Sequence, residues 1–259
     1  TTSVTIMDNM FWSCSNLNYL NVQQFETSSV KSMSYMFYNC KNLISLDISN
    51  FNTINVKLMD NMLEVKKLSK KYQGDEDEVI ALEDITFNIK KGEFVSVIGP
   101  SGCGKSTLVK MMMRYIQAPF NTIKIAGIDI NHYHLQNIRT NITYISNNEY
   151  LFQDTLKNNI CLYQEYDEDE IKKICDLCFV NEILKSKNIS LDSVIEENGF
   201  NFSNGERQRI ILARSLLRKS NIYIFDEALA QIDIRKEKKI LENIFTYLKD
   251  KTVIIISHR

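Results

Sequence analysis

A chain of 259 residues with a formal net charge of -1 and 44% hydrophobic residues has room for one large or two modest domains and enough apolar matter for a packed core. The near-neutral balance argues against nucleic acid as a main partner, no apolar run is long enough to span a bilayer, and no signal peptide opens the chain. It starts at Thr1 rather than methionine, which leaves an upstream segment open, and its two prolines exclude long proline-rich linkers.

The first sixty residues repeat. Met7-Asp8-Asn9-Met10-Phe11-Trp12-Ser13-Cys14 returns as Met33-Ser34-Tyr35-Met36-Phe37-Tyr38-Asn39-Cys40, at an offset of 26. Leu17 and Leu43, Leu20 and Leu46, Val22 and Ile48, Phe25 and Phe51, and Val30 and Val56 keep the same offset. A third copy begins at Met59 and stops at Met62. A period of this length with regular leucines means a solenoid whose units bury their apolar faces against one another. The methionines and aromatics are therefore stacking core. The pattern resembles the leucine-rich repeats of BspA-like bacterial surface proteins over residues 3–62, which implies adhesion or protein binding by an extracellular protein. Solenoids generally need about three or more units, so these two complete ones are expected to be a remnant, poorly ordered or stabilised by packing on the next domain of the chain.

At Leu63-Glu64-Val65 the register is lost and a second domain begins, giving expected domains of 1–61 and 62–259. Tyr72 ends a strand-like run, Gly74 to Glu78 form an acidic hairpin tip, and Val79 to Ile89 read as the return strand. Phe94 to Ile98 is a short apolar strand. Behind it stand Gly99, Pro100, Ser101, Gly102, Cys103, Gly104, Lys105, Ser106 and Thr107, then the helix formers Leu108 to Arg114. Strand, glycine-rich loop and helix are the context in which G-x-x-x-x-G-K-[ST] becomes a phosphate cradle. Backbone N–H groups and the helix N-terminus face the anion, Lys105 reaches the terminal phosphates, and Ser106 offers a hydroxyl to Mg2+.

Residues 122–130 look like a hairpin, His132 and His134 belong to a surface turn, and Ile142 to Ile145 form a strand. Residues 167–187 have helical spacing behind an acidic start. Cys175 and Cys178 form a C-x-x-C without further ligands, so all six cysteines read as reduced and mostly buried thiols rather than a metal or redox site. Ile222 to Phe225 is a buried-type strand ending in Asp226 and Glu227: a magnesium-holding carboxylate, and beside it an acid that can orient and deprotonate water. Ser203 caps the start of a further anion-facing helix. Thr252 to Ser257 is another buried strand, with His258 at its tip.

In this order the motifs resemble the nucleotide-binding domain of ABC transporters, from about residue 62 to the end. The resemblance implies an α/β P-loop NTPase fold with a mixed-sheet core, an antiparallel β subdomain and a helical subdomain. It implies ATP as the nucleotide and Mg2+ held by Ser106, Asn147 and Asp226. Glu227 and His258 match the catalytic glutamate and the switch histidine, and Tyr72 the adenine-stacking aromatic. Ser203, Asn204 and Gly205 match the signature that meets the nucleotide of a second cassette, and Asp233 the D-loop acid. The implied partners are a second such domain and the transmembrane domain of a transporter, on the cytoplasmic face of the membrane. Asn147 stands where the family has glutamine, Asn204 replaces a signature glycine, and Glu206 a glutamine. The chain stops just past His258, where family members usually continue, which reads as truncation. The segment 226–233 resembles peptide or bacteriocin exporters, whereas Val97 to Lys105 looks more like stand-alone ATPase subunits, so a mosaic with junctions near Met62 and in the phosphate loop is one expectation. The leading reading is an ATPase that drives export of a peptide or other substrate. The competing one is a repeat-domain adhesin with a vestigial cassette, and a third is a soluble ABC ATPase.

Overall fold

The computed structural model describes all residues except 1–2, 34–35, 37–39, 41–44, 48–60, 74–77 and 258–259. Two compact units emerge, Thr1–Val95 with Gly99–Thr140, and Ser96–Ile98 with Asn141–Arg259.

In the first unit the repeat period becomes a strand register. Strand β1 (Tyr19–Asn21) pairs in parallel with β2 (Ser45–Asp47), Tyr19 against Ser45 and Leu20 against Leu46. Ile6 bridges Ser32 in the same sense, and Lys31 N–H donates to the Thr5 carbonyl at 2.7 Å. Every one of these pairs is 26 residues apart, so the sequence period is the stacking distance of one turn on the next. Met7, Val22, Val30, Met33 and Met36 are buried between the turns. The third copy from Met59 falls partly outside the described residues.

The long strands β3 (Asn61–Gln73) and β4 (Glu78–Lys90) form an antiparallel hairpin that pairs up to Gln73 and Glu78, with the acidic tip outside the described residues. The strand β5 (Phe94–Ile98) leads into helix α1 (Lys105–Met112). The hairpin expected at 122–130 is present as β6 (Ile123–Ile125) and β7 (Ile128–Asp129), turned by Ala126 and Gly127, both at positive φ. The antiparallel sheet runs β4-β3-β6-β7. A 3-10 turn (Ile130–His132) and α2 (Leu135–Asn141) come next.

The second unit is built on parallel strands. The sheet order is β5-β10-β9-β8, where β8 is Ile142–Ser146, β9 is Ile222–Asp226 and β10 is Thr252–Ser257. All five residues of β9 are buried, which is why it reads as a continuous apolar run rather than an alternating one. Helices α3 (Leu156–Cys161), α4 (Glu168–Leu177), α5 (Val180–Lys187), α6 (Asn204–Leu217) and α7 (Ile234–Tyr247) complete it. The single helical stretch read over 167–187 is two helices. The break is at Phe179, held at φ 57 with its carbonyl accepting from Arg209 at 2.9 Å. Spacing alone carries no signal of that tertiary bond. Cys161, Cys175 and Cys178 are buried free thiols and burial raises all three, Cys175 to about 12. Cys40 is half-buried, while Cys14 and Cys103 are exposed, so burial is less general than the sequence suggested.

Candidate functional site

In the first unit the loop from Gly99 to Gly104 delivers the chain from β5 into α1. Lys105 is buried, and its ammonium donates to the Gly99 carbonyl at 2.5 Å and the Pro100 carbonyl at 2.8 Å, with the Cys103 sulfur at 3.6 Å. The cation therefore sits inside the loop's own curl instead of extending to solvent. Gly104 has φ 90, and a Cβ there would lie 2.1 Å from the Ala81 carbonyl oxygen. Only glycine lets the backbone turn into the helix at that point. Pro100, Ser101, Gly102, Cys103 and Ser106 are exposed, whereas Thr107 is half-buried. Tyr72 stands on β3, is 38% exposed and has the Lys70 ammonium 5.5 Å from its ring centroid.

In the second unit the acids end β9 as expected. Asp226 is buried and accepts from the Tyr144 hydroxyl at 2.9 Å. Glu227 has φ 54, a left-handed conformation uncommon for a residue with a Cβ, and its N–H donates to the Ile256 carbonyl at 3.1 Å. Ser203 caps α6 in a capping box: Glu206 N–H donates to Ser203 Oγ at 3.3 Å, and Ser203 N–H donates to the Glu206 carboxylate at 2.8 Å. Burial opposes ionisation of Glu206, but the Ser203 N–H and Lys187, 3.5 Å away, outweigh it and hold the carboxyl below its ordinary value. A Cβ on Gly205 would lie 2.9 Å from the Gln231 carbonyl, so Gly205 lies against the segment that leads to Asp233. Asp233 caps α7 through Lys236 N–H at 3.0 Å. Asn204 is exposed at the first turn of α6 and accepts from Arg207. Asn147 comes directly after β8, next to Ser146, whose carbonyl accepts from Gln208 at 3.3 Å. His258 lies outside the described residues. His132 and His134 gather no further ligands: among the described residues no group of three His, Cys, Asp or Glu could hold a metal ion.

Three residues escape a reading by motif. Tyr144 occupies one oxygen of Asp226. Asn159 and Arg214 fix the segment after Asn147. The Arg214 guanidinium is buried and donates to the Asn159 carbonyl at 2.7 Å, the Tyr150 carbonyl at 3.0 Å and Asn159 Oδ1 at 3.1 Å, with Glu149 at 3.8 Å and the Phe152 ring at 5.1 Å. Asn159 in turn bonds both the N–H and the carbonyl of Phe152. The only sequence signal was an arginine on an otherwise apolar helix stretch. A cavity of about 790 Å³ lies among α4, α5 and Lys157 and holds none of the expected site residues.

The model of the ABC transporter family matches residues 82–230. The chain belongs to that family. A second model, described as a Mycoplasma protein of unknown function, DUF285, matches residues 1–91 and so covers the repeats and the β3–β4 hairpin, overlapping the first match at residues 82–91. The cassette is 36% identical over 197 residues to an ATP-dependent lipid A-core flippase of Vibrio vulnificus (strain YJ016), covering 75% of this chain and 33% of the relative. It is 37% identical over 199 residues to the protein of the same name from Haemophilus influenzae (strain 86-028NP), covering 76% and 34%. Among solved structures, a bacterial Atm1-family ABC exporter with ATP bound aligns with a TM-score of 0.72 at 26% identity, over 83% of this chain and 37% of that one. The chain thus spans about a third of the length of the curated relatives it matches. The ABC fold, with mixed parallel and antiparallel sheets, agrees with the sequence expectation.

Proposed function

We propose that the chain binds and hydrolyses ATP and that this powers export by a transporter of which it is the nucleotide-binding part. The observation that carries the reading is the phosphate loop: a glycine-forced turn into α1 that encloses the Lys105 ammonium. Gly99, Pro100, Ser101, Gly102, Cys103, Gly104 and Thr107 supply the loop, and Lys105 the charge for the phosphates. Ser106 and Asp226 are the residues to hold Mg2+, with Asn147 as a further oxygen donor. Asp226 fits that part, since a carboxylate accepts at several sites and Tyr144 takes one. The metal would neutralise phosphate charge. Glu227 holds and deprotonates the attacking water, and His258 assists it. Tyr72 stacks on the base. Ser203, Asn204 and Gly205 serve the nucleotide of a second cassette, with Asp233 at the same seam. Catalysis is then mostly positioning and charge stabilisation.

The partners in this reading are a second cassette and a membrane domain, and the place is the cytoplasmic face of the membrane. Among the described residues no helix is long and apolar enough to cross a membrane. A membrane domain would find apolar side chains at Tyr150, Tyr163, Val194 and Phe200, each at least 67% exposed. The segments of Tyr150, Tyr163 and Val194 are linked: Tyr163 donates to Asp154, and Thr155 bridges Val194. As to cargo, the relatives quoted are named for lipid A-core, which favours a lipid over the peptide expected from residues 226–233. Residues 1–61 are in this reading a BspA-like repeat module and 62–259 the cassette.

ATP turnover by the full chain tests the proposal, with Lys105→Ala and Glu227→Gln as variants. Both are expected to lose turnover, and Glu227→Gln to form an ATP-dependent dimer on size exclusion. Unchanged turnover in both variants overturns it.

A further inference from the structure

The repeats and the antiparallel sheet share one core. Met7, Val22, Val30, Met33 and Met36 are buried together with Ile128 of β7, and Phe11, Phe25, Cys40 and Tyr133 pack against that cluster. Strand β2 lies against the 3-10 turn Ile130–His132, between Ile128 and Tyr133. Tyr133 is held from the cassette side by two bonds. Its hydroxyl donates to the Ile125 carbonyl at 2.9 Å, and its own carbonyl accepts from Arg114. Arg114 stands two residues beyond α1, the helix that begins with Lys105. All of these groups belong to the same compact unit.

We infer that the repeats are a built-in wall of the phosphate-loop unit, and that they therefore lie in the same compartment as the phosphate loop rather than outside the cell. Side chains in one core touch within about 4.5 Å, whereas a bilayer's hydrocarbon separates its two sides by about 30 Å. A core of this kind cannot straddle a membrane. The fold also bears on how so few units hold together: Ile128 and Tyr133 pack on the apolar cluster of the repeats, the part a capping element plays in a solenoid. The shared compartment stands whether or not the cassette turns over ATP, while its being inside the cell rests on the cytoplasmic placement proposed above.

The native thiols report on both halves of the inference. Cys40 is half-buried against the shared core, with its sulfur donating to the Phe11 carbonyl at 3.0 Å, whereas Cys14 on the neighbouring turn is exposed. In the purified full chain, maleimide labelling read by peptide mass spectrometry should modify Cys40 at least tenfold more slowly than Cys14. Ile128→Ala, 88 positions away, should speed Cys40 labelling several-fold, while the buried Cys161, Cys175 and Cys178 of the other unit stay protected. If Ile128→Ala loses nucleotide binding and so fails to fold locally, Tyr133→Leu takes its place, because leucine keeps an apolar body and drops the ring. Equal rates for Cys40 and Cys14, or a Cys40 rate untouched by the folded variant, overturn the docking. In the cells that naturally produce the chain, a membrane-impermeant maleimide should reach Cys14 only after permeabilisation. Labelling of Cys14 in intact cells while the exposed Cys103 of the phosphate loop stays protected overturns the shared compartment.

Discussion

Replacing Arg214 by methionine should be among the most damaging single changes in the second unit. The guanidinium supplies donors to the Asn159 carbonyl, the Tyr150 carbonyl and Asn159 Oδ1, and lies 3.8 Å from Glu149. A buried acceptor stripped of its donor costs about 1–3 kcal/mol. Methionine returns part of the packing against Phe152, and removal of one partner from a buried charged network costs about 3–5 kcal/mol. At roughly 2–4 °C per kcal/mol for a chain of this size, thermal unfolding followed by circular dichroism should move down by roughly 6–20 °C. The pH dependence comes from Glu149. Burial holds its carboxyl above its ordinary value of 4.5, and Arg214 pulls the other way. Without the arginine the folded value rises further. The penalty is absent below the unfolded value and grows as pH rises through the folded one, so the deficit of Arg214→Met should be larger at about pH 7.5 than at about pH 5. Glu149→Gln in the Arg214→Met background should recover part of the loss at the higher pH. A shift under about 2 °C, or no recovery from Glu149→Gln, would refute the clamp.

Gly104→Ala places a Cβ 2.1 Å from the Ala81 carbonyl oxygen at φ 90, a clash with backbone that no side-chain rotation relieves. It should weaken binding of a fluorescent ATP analogue at least tenfold, and retained affinity would contradict the loop geometry. Ser203→Ala removes the cap of α6 and should cost about 1 kcal/mol in urea unfolding. Because Glu206 is held below its ordinary 4.5, its contribution is present above that value and fades as pH falls through the lowered one. Glu206→Gln should therefore flatten the acid limb of a pH–stability curve, and an unaltered limb counts against the capping box. Cys103 is exposed within the phosphate loop, so its alkylation should block nucleotide binding and ATP should slow the alkylation. An alkylated chain that binds ATP normally would show that the loop is not the cradle.

The phosphate loop was legible in the sequence because its chemistry is local. Glycines at fixed spacing, one lysine, a strand before and a helix after are all written within some fifteen residues. The repeat was legible for a related reason: an offset of 26 in sequence is the same offset in strand pairing. What could not be read depends on partners far along the chain. Arg214 meets Asn159 55 positions away, Tyr144 meets Asp226 82 positions away, and the Met33 and Ile128 side chains share a core. None of these leaves a periodic trace. Phe179 shows the same limit in the backbone: helical spacing continues through it, yet the long-range bond from Arg209 goes with a left-handed turn and two helices where one was expected.

The register of the N-terminal segment also governs how that segment can change length. Parallel pairing of Tyr19 with Ser45 and of Ile6 with Ser32 holds only while the chain between them keeps 26 residues per turn. Losing or gaining one residue within a turn would rotate every later side chain on that strand to the opposite face and turn leucines and valines outward. Gain or loss of a whole unit leaves every remaining pair in place. Length variation in this segment is therefore quantised: related chains should differ by multiples of the repeat, with smaller insertions confined to the loops between strands.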